Sequence, residues 1–244
     1  MFKKIMSTGF YLLLLMTSKT LWAEVLWQDF SVTYLSGHHY EIGDPDRQVI
    51  TLEHVAGTNW GDSFMFLDHL RSSDGDRSNY AEWSPRLSLC KTGISCISNA
   101  FIKDVLIAST VEMSSVSTEF LYGIGLDLNI PQFQFVQMNF YRRHNDNNAD
   151  NWQVTSAWAL PFELAGQPFR YDGFIDWFNS TDDQRSSLNW TSQLKWSASK
   201  WLGLSSPLYF GIEYVFWRNK YGIANSAQFD THESNVNLLV KWHF

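Results

Sequence analysis

From Val236 to Phe244 the chain alternates so that Val236, Leu238, Val240, Trp242 and Phe244 fall on one face of an extended strand. Asn237, Lys241 and His243 share the opposite face with Leu239. Strand side chains alternate with period two, so this stretch is a ribbon with one apolar, aromatic side and one largely polar side. The pattern recurs upstream. Leu208, Phe210, Ile212, Tyr214 and Phe216 oppose Gly211, Glu213 and Trp217, and Leu188, Trp190, Leu194 and Trp196 oppose Asn189, Thr191, Gln193 and Lys195. Ala81, Trp83, Leu87 and Leu89 oppose Glu82, Ser84, Arg86 and Ser88. Ribbons whose outer faces carry no charge predict strands that meet lipid on one side and a polar interior on the other, as in bacterial outer-membrane barrels.

A membrane-crossing strand needs about 9–11 residues. Turn-forming residues divide the chain into segments near that length at 27–36, 48–56, 62–69, 80–89, 101–111, 119–129, 132–142, 152–161, 169–178, 188–197, 208–218 and 235–244. The expected fold is therefore all-β: a transmembrane antiparallel β-barrel of about twelve strands. Most of its odd-numbered connections are polar and charged, as in S-S-D-G-D-R-S-N at 72–79 and H-N-D-N-N-A-D-N at 144–151. The even-numbered ones, such as G-T-N-W-G at 57–61 and N-I-P-Q at 129–132, are shorter or nearly uncharged. Long outer loops alternating with short inner turns predict both termini in the periplasm.

The beginning of the chain agrees with export. Lys3 and Lys4 precede an apolar stretch from Ile5 to Met16, and Leu21-Trp22-Ala23 offers a cleavage point before Glu24. We read residues 1–23 as a secretory signal peptide and 24–244 as the barrel. Removing the leader, with Lys3, Lys4 and Lys19, moves the formal charge from −7 to −10. That acidic balance argues against a nucleic-acid partner, which calls for a basic stripe. No later stretch approaches the roughly 18 apolar residues of a membrane helix. Aromatics make up 16% of the chain, which suits girdles at both membrane interfaces of a barrel.

Candidate chemistry lies on the inward faces. Glu82 and Arg86 both point inward, but four strand residues separate them by about 13 Å, so any partners must come from neighbouring strands. Arg170, Asp172, Phe174 and Asp176 share one strand face, with Tyr171, Ile175 and Trp177 on the other. A phenylalanine among charged neighbours in a narrow lumen would stack a base or sugar while the polar groups bond its edge; a polar network that only holds the interior open is the competing reading. Glu213 and Trp217 complete the lumen candidates. Cys90 and Cys96 flank K-T-G-I-S, and an oxidising compartment favours a disulfide if their Cα atoms come within about 4.4–6.8 Å. His232-Glu233-Ser234 offers an H-x-S resembling outer-membrane lipolytic enzymes, but no orienting acid or amide can be assigned to it. His38-His39 sits in an expected loop, and no H-E-x-x-H, C-x-x-C or phosphate-binding glycine loop is present. No catalytic residue, metal or cofactor is expected.

Several stretches resemble the nucleoside-specific channel-forming proteins of bacterial outer membranes, the Tsx-like porin family. They are E-W-S-P-R-L-S-L from Glu82, G-I-G-L-D-L from Gly123, N-F-Y from Asn139 and Y-D-G-F-I-D-W from Tyr171. With the leader and the closing strand, the resemblance spans most of the chain. It implies a twelve-stranded barrel in the outer membrane, passage of nucleosides, and loops used in some members as receptors for phages or colicins. Barrel size agrees in physical terms, because eight strands leave an interior filled by side chains and sixteen to eighteen leave a wide aqueous channel. The expected function is passive passage of small polar solutes, nucleosides first, by a monomer. A scaffold whose loops bind phage or colicin is the alternative, and the lipolytic enzyme is a third. Acidic loops with Asp44, Asp46, Asp74, Asp76, Asp182 and Asp183 would also bridge to lipopolysaccharide through divalent cations.

Overall fold

The computed structural model describes residues 23–244; the expected leader lies outside the described residues except for Ala23. The strands are β1 (Val25–Gly37), β2 (Arg47–Thr58), β3 (Gly61–Ser72), β4 (Arg77–Ser88), β5 (Ile102–Ser114) and β6 (Thr118–Leu128). They continue as β7 (Phe135–His144), β8 (Asn151–Leu164), β9 (Gln167–Phe178), β10 (Ser187–Ser197), β11 (Leu208–Arg218) and β12 (Glu233–His243). Each pairs antiparallel with its chain neighbours, and β12 returns to β1 through the register Ser31↔His243 to Ser36↔Leu238, closing the barrel. The twelve expected segments map one to one onto these strands. Closure removes both sheet edges, so every strand finds partners on two sides.

The two ends of the barrel differ in charge more than in loop length. At the end where β1 starts and β12 stops, the connections are 59–60, 89–101, 129–134, 165–166 and 198–207. At the other they are 38–46, 73–76, 115–117, 145–150, 179–186 and 219–232. The expected alternation of long and short holds only in part, because 89–101 and 198–207 exceed 73–76 and 115–117. The first folds back on a Cys90–Cys96 disulfide with a Cα separation of 4.1 Å, slightly tighter than the expected range. The second carries a one-turn helix, α1 (Ser199–Leu202), that ends on Gly203 at φ 69°. Charge separates the ends cleanly. No Asp or Glu occurs in any connection at the terminal end, whereas the opposite, acidic end carries Glu41, Asp44, Asp46, Asp74, Asp76, Asp146, Asp150, Asp182, Asp183 and Asp230. The two-residue hairpin Ala165–Gly166 has φ 51° and 73°, the left-handed pair that matches strand twist; glycine adopts it freely and alanine does not.

Alternation sets the two faces as expected. On β12, Val236, Leu238, Val240 and Trp242 are exposed to the outside, while Glu233, Asn235, Asn237, Leu239 and Lys241 are buried inside. Aromatics gather in two bands on the outer wall. Phe30, Trp242 and Phe244 meet at the terminal end, with ring centroids 5.2 and 5.5 Å apart, and Trp196 and Phe210 lie at the same level. Trp190 and Tyr214 stack edge to face nearer the acidic end. These are the girdles that hold a barrel at both interfaces of a bilayer. Inside, the fully buried apolar side chains form small clusters such as Leu35–Val49–Leu239 and Ala108–Leu121–Tyr141, and polar and charged residues line much of the rest.

Candidate functional site

The lumen is organised by ion pairs that cross between strands. Arg86 on β4 donates from Nε and Nη2 to the Asp62 carboxylate of β3 at 2.8 and 2.6 Å, and its Nη1 lies 2.9 Å from Asp127 of β6. To reach β6 the guanidinium passes β5, where the inward residue is Ala108, fully buried; a larger side chain there would block it. Gly125 on β6 keeps the same space open, since a Cβ there would stand 2.6 Å from the Asn139 amide oxygen. Arg86 thus finds its partners on neighbouring strands, as the four-residue spacing from Glu82 requires.

A second network runs around the barrel from β9 to β2. Asp172 accepts from Arg170 Nε at 2.6 Å and pairs with Lys195 Nζ at 2.7 Å. Lys195 also donates to Gln193 at 2.7 Å; the Gln193 amide donates to Glu213 at 2.8 Å, and Glu213 accepts from Asn237 at 3.0 Å. On the far side of β12, Lys241 pairs with Glu53, which also accepts from the Ser31 hydroxyl at 3.2 Å.

The wall formed by β3 to β9 near mid-height is different. Glu82 stands in register with Glu112, and Glu112 with Glu119. Arg143 pairs with Glu112 at 2.8 Å. Glu82 is held by the Tyr80 hydroxyl at 2.6 Å, Asp68 by the Thr51 hydroxyl at 2.5 Å, and Asp176 by the Thr155 hydroxyl at 2.5 Å. Aromatic rings share this wall: Phe64 and Phe66 lie 5.9 Å apart, and Phe66 and Tyr80 5.8 Å. Phe174 sits on the same face of β9 as Asp172 and Asp176, with Ala157 and Thr191 beside it on β8 and β10.

At the acidic end, side chains from the 38–46 and 219–232 connections converge over the mouth. Lys220 Nζ pairs with Glu233 at 2.6 Å and lies 5.5–5.7 Å from the ring centroids of Trp217, Tyr221 and Tyr40. The Tyr40 hydroxyl donates to Asn237 at 3.0 Å, and Arg47 covers the other part of that ring at 5.0 Å. Burial pushes Lys220 below the usual lysine range, opposed by Glu233. It raises Tyr40 together with the charges of Glu213 and Glu233. The result is a cation fixed among three aromatic faces.

A sequence profile of the nucleoside-specific channel-forming protein family, Tsx, matches residues 23–244. The chain belongs to that family. It is an outer-membrane channel for small solutes. No curated protein sequence matches the chain. Among solved structures it is similar to the KdgM porin, with a TM-score of 0.52 at 9% identity over 88% of this chain and 99% of that one. The KdgM porin in complex with disordered oligogalacturonate gives 0.51 at 9%, with the same coverage of both chains. At such identities the likeness concerns the fold, an outer-membrane β-barrel.

Within this Tsx-family barrel all eight residues expected in the lumen, Glu82, Arg86, Arg170, Asp172, Phe174, Asp176, Glu213 and Trp217, lie on inward faces. They form no single cluster. Arg86 belongs to the Asp62–Asp127 bridge, Glu213 to the Lys195 network, Trp217 to the mouth, and Arg170 to Asp176 line one strand between them. Sequence reasoning did not single out Asp62, Asp127, Glu53, Glu112 or Arg143. Asp62 was within reach, because D-S-F-M-F-L-D alternates, but Phe64 and Phe66 point inward while Met65 and Leu67 point outward, so hydrophobicity alone does not give the phase. Ser234 of the H-x-S lies on the outer face with its hydroxyl 3.2 Å from that of Tyr214, and His232 is exposed in the preceding connection. Of the loop histidines, His38 pairs with Asp46 at 2.8 Å. No group of His, Cys, Asp or Glu among the described residues is arranged to hold a metal.

Proposed function

We propose that this channel passes nucleosides, with Phe174 as the stacking platform and Asp176 as the acceptor for sugar or base donors. Support comes from family membership over residues 23–244 and from the position of Phe174 on the lumen wall between two unlike carboxylates. Asp172 is engaged by two cations, whereas Asp176 is held by one hydroxyl and retains acceptor capacity for a passing solute. An aromatic face with a carboxylate one step along the strand suits a flat base bearing a sugar, and weak binding of this kind aids permeation because the solute must also leave. We place both termini in the periplasm, since connections without Asp or Glu at the terminal end and acidic connections at the opposite end give the barrel a polarity that matches plain inner turns and charged outer loops. The closed barrel acts as a monomer.

The test is reconstitution of refolded protein in planar bilayers, with single-channel current titrated against nucleosides, hexoses and aromatic acids. Small single-channel steps blocked most strongly by nucleosides are expected. Absence of conductance rejects the pore, and equal block by hexoses rejects the nucleoside reading while leaving the pore intact.

A further inference from the structure

One feature of the outer wall serves neither the lumen nor the apolar band. Close to the acidic end, Tyr34, Gln48, Ile50, His69, Arg71 and Arg77 line an outward-facing crevice of roughly 330 Å³ on β1 to β4. The registers arrange it in rows. Ser36, Gln48, Arg71 and Arg77 stand side by side, followed one step down the wall by Ile50 and His69, and then by Val32, Leu52, Leu67 and Ala81. Because alternate residues are about 6.8 Å apart along a strand, the arginine row sits some 14 Å above a fully apolar row.

Arg71 and Arg77 are directly opposed across β3 and β4, both exposed, and neither forms an ion pair with a carboxylate of the described residues. Like charges opposite one another on paired strands are destabilising. Three nearby loop acids are directed elsewhere, Asp44 to Ser73 and the Asp74 amide, Asp46 to His38, and Asp74 to the Asp76 amide, and Asp76 forms no ion pair with either arginine. The contrast with Arg142 is clear, since that outward arginine near the same end lies 3.7 Å from Asp150 and covers the Trp152 ring at 5.4 Å. His69 is oriented by Asn79 at 2.8 Å, which fixes its ring in the crevice wall.

We infer that this crevice binds the phosphate of a phosphorylated glycolipid of the outer leaflet. Two guanidinium forks offer bidentate donors to one phosphate, and its charge relieves the repulsion between them. Gln48 and His69 supply further polar contacts, and acyl chains descend along Val32, Leu52 and Leu67. The glycolipid, rather than a glycerophospholipid, follows from the acidic end facing outward, so the inference rests on the orientation proposed above.

Native mass spectrometry of the folded barrel tests it, using bisphosphorylated lipid A, its dephosphorylated form and phosphatidylglycerol as probes. Lipid A is expected to form a one-to-one adduct that falls at least tenfold in the Arg71→Gln/Arg77→Gln variant and is unchanged in Arg218→Gln, an outward arginine on β11. Ten millimolar inorganic phosphate should not displace it. Retention in the double variant, equal loss in Arg218→Gln, or equal binding of dephosphorylated lipid overturns the site; displacement by inorganic phosphate or equal binding of phosphatidylglycerol overturns the glycolipid. Thermal unfolding gives an independent sign: without lipid the double variant unfolds at or above the parent's midpoint, and lipid A raises only the parent's. A double variant that loses stability without lipid overturns the repulsive-pair argument. These readouts do not involve solute passage, so failure here leaves the nucleoside channel untouched.

Discussion

Asp172 and Asp176 stand on the same inward face of β9, about 13 Å apart along the strand, yet they live in different surroundings. Asp172 is clasped by Arg170 and Lys195, and through Lys195 it joins a chain of donors and acceptors reaching β12. Asp176 meets the Thr155 hydroxyl and faces the wall of Glu82 and Glu112, where Arg143 is the cation. One carboxylate is committed to holding strands together; the other is bonded by a single hydroxyl. Residue type and strand face are identical, so the difference lies wholly in what the neighbouring strands bring. A carboxylate clasped by cations and one left with a single hydroxyl partner can therefore alternate along one strand, and charge alone does not distinguish them.

The largest effect expected on β9 tests its register. Ile175 lies between Phe174 and Asp176 in sequence but faces lipid, so Ile175→Arg should cost roughly 2–4 kcal/mol near the bilayer midplane. Loss of the compact, heat-modifiable band on gels is the readout, and a normally folding Ile175→Arg barrel would reverse every face assigned to this strand. Next comes Asp172→Asn, which leaves Arg170 and Lys195 facing a neutral amide. A stability loss of about 2 kcal/mol in denaturant-induced unfolding is expected from breaking charge-assisted hydrogen bonds.

Asp176→Asn is the counterpart. It keeps an oxygen for the Thr155 hydroxyl, so unfolding should move by no more than about 0.5 kcal/mol. The reversal potential in a salt gradient should shift toward weaker cation preference, because a carboxylate facing the pore has gone. If both substitutions destabilise equally, the distinction between the two acids fails. Phe174→Ala should leave folding nearly intact and weaken nucleoside block by about 1 kcal/mol, close to fivefold.

The smallest effect concerns the loops. Asp44 accepts from the Asp46 amide, the Ser73 hydroxyl and the Asp74 amide, and these bonds hold its carboxyl down at about 2. A depressed carboxyl stabilises its loop fully above the unfolded value of about 3.9, and the contribution disappears as pH falls through about 2. Pepsin should therefore cut the 38–46 and 73–76 connections faster at pH 1.5 than at pH 3.5, and Asp44→Asn should abolish most of that difference.

The outline of the barrel was legible wherever one face was apolar and the other polar. β4, β10, β11 and β12 show this, and their faces stand as read. The phase of β3 was not legible, because phenylalanines fill its inward positions while leucine and methionine fill the outward ones. Loop lengths misled in part: 89–101 is long at the terminal end, its chain folded back by a disulfide. The lumen candidates were visible as inward residues, but their grouping was not. Arg86 joins β3 to β6 across Ala108, and nothing local to Arg86 points to a carboxylate on a strand two places away.

Alternation, uncharged outer faces and aromatic abundance determined a membrane barrel and the direction of most side chains, because period two is a property of each strand alone. Registers between strands, and with them the partners of every lumen charge, were decided only by closure of the barrel. A carboxylate's neighbours come from strands both near and far in sequence. Asp172 became a structural anchor, and Asp176 did not, because Lys195 reaches diagonally to the first from β10 while only Thr155 stands across from the second on β8.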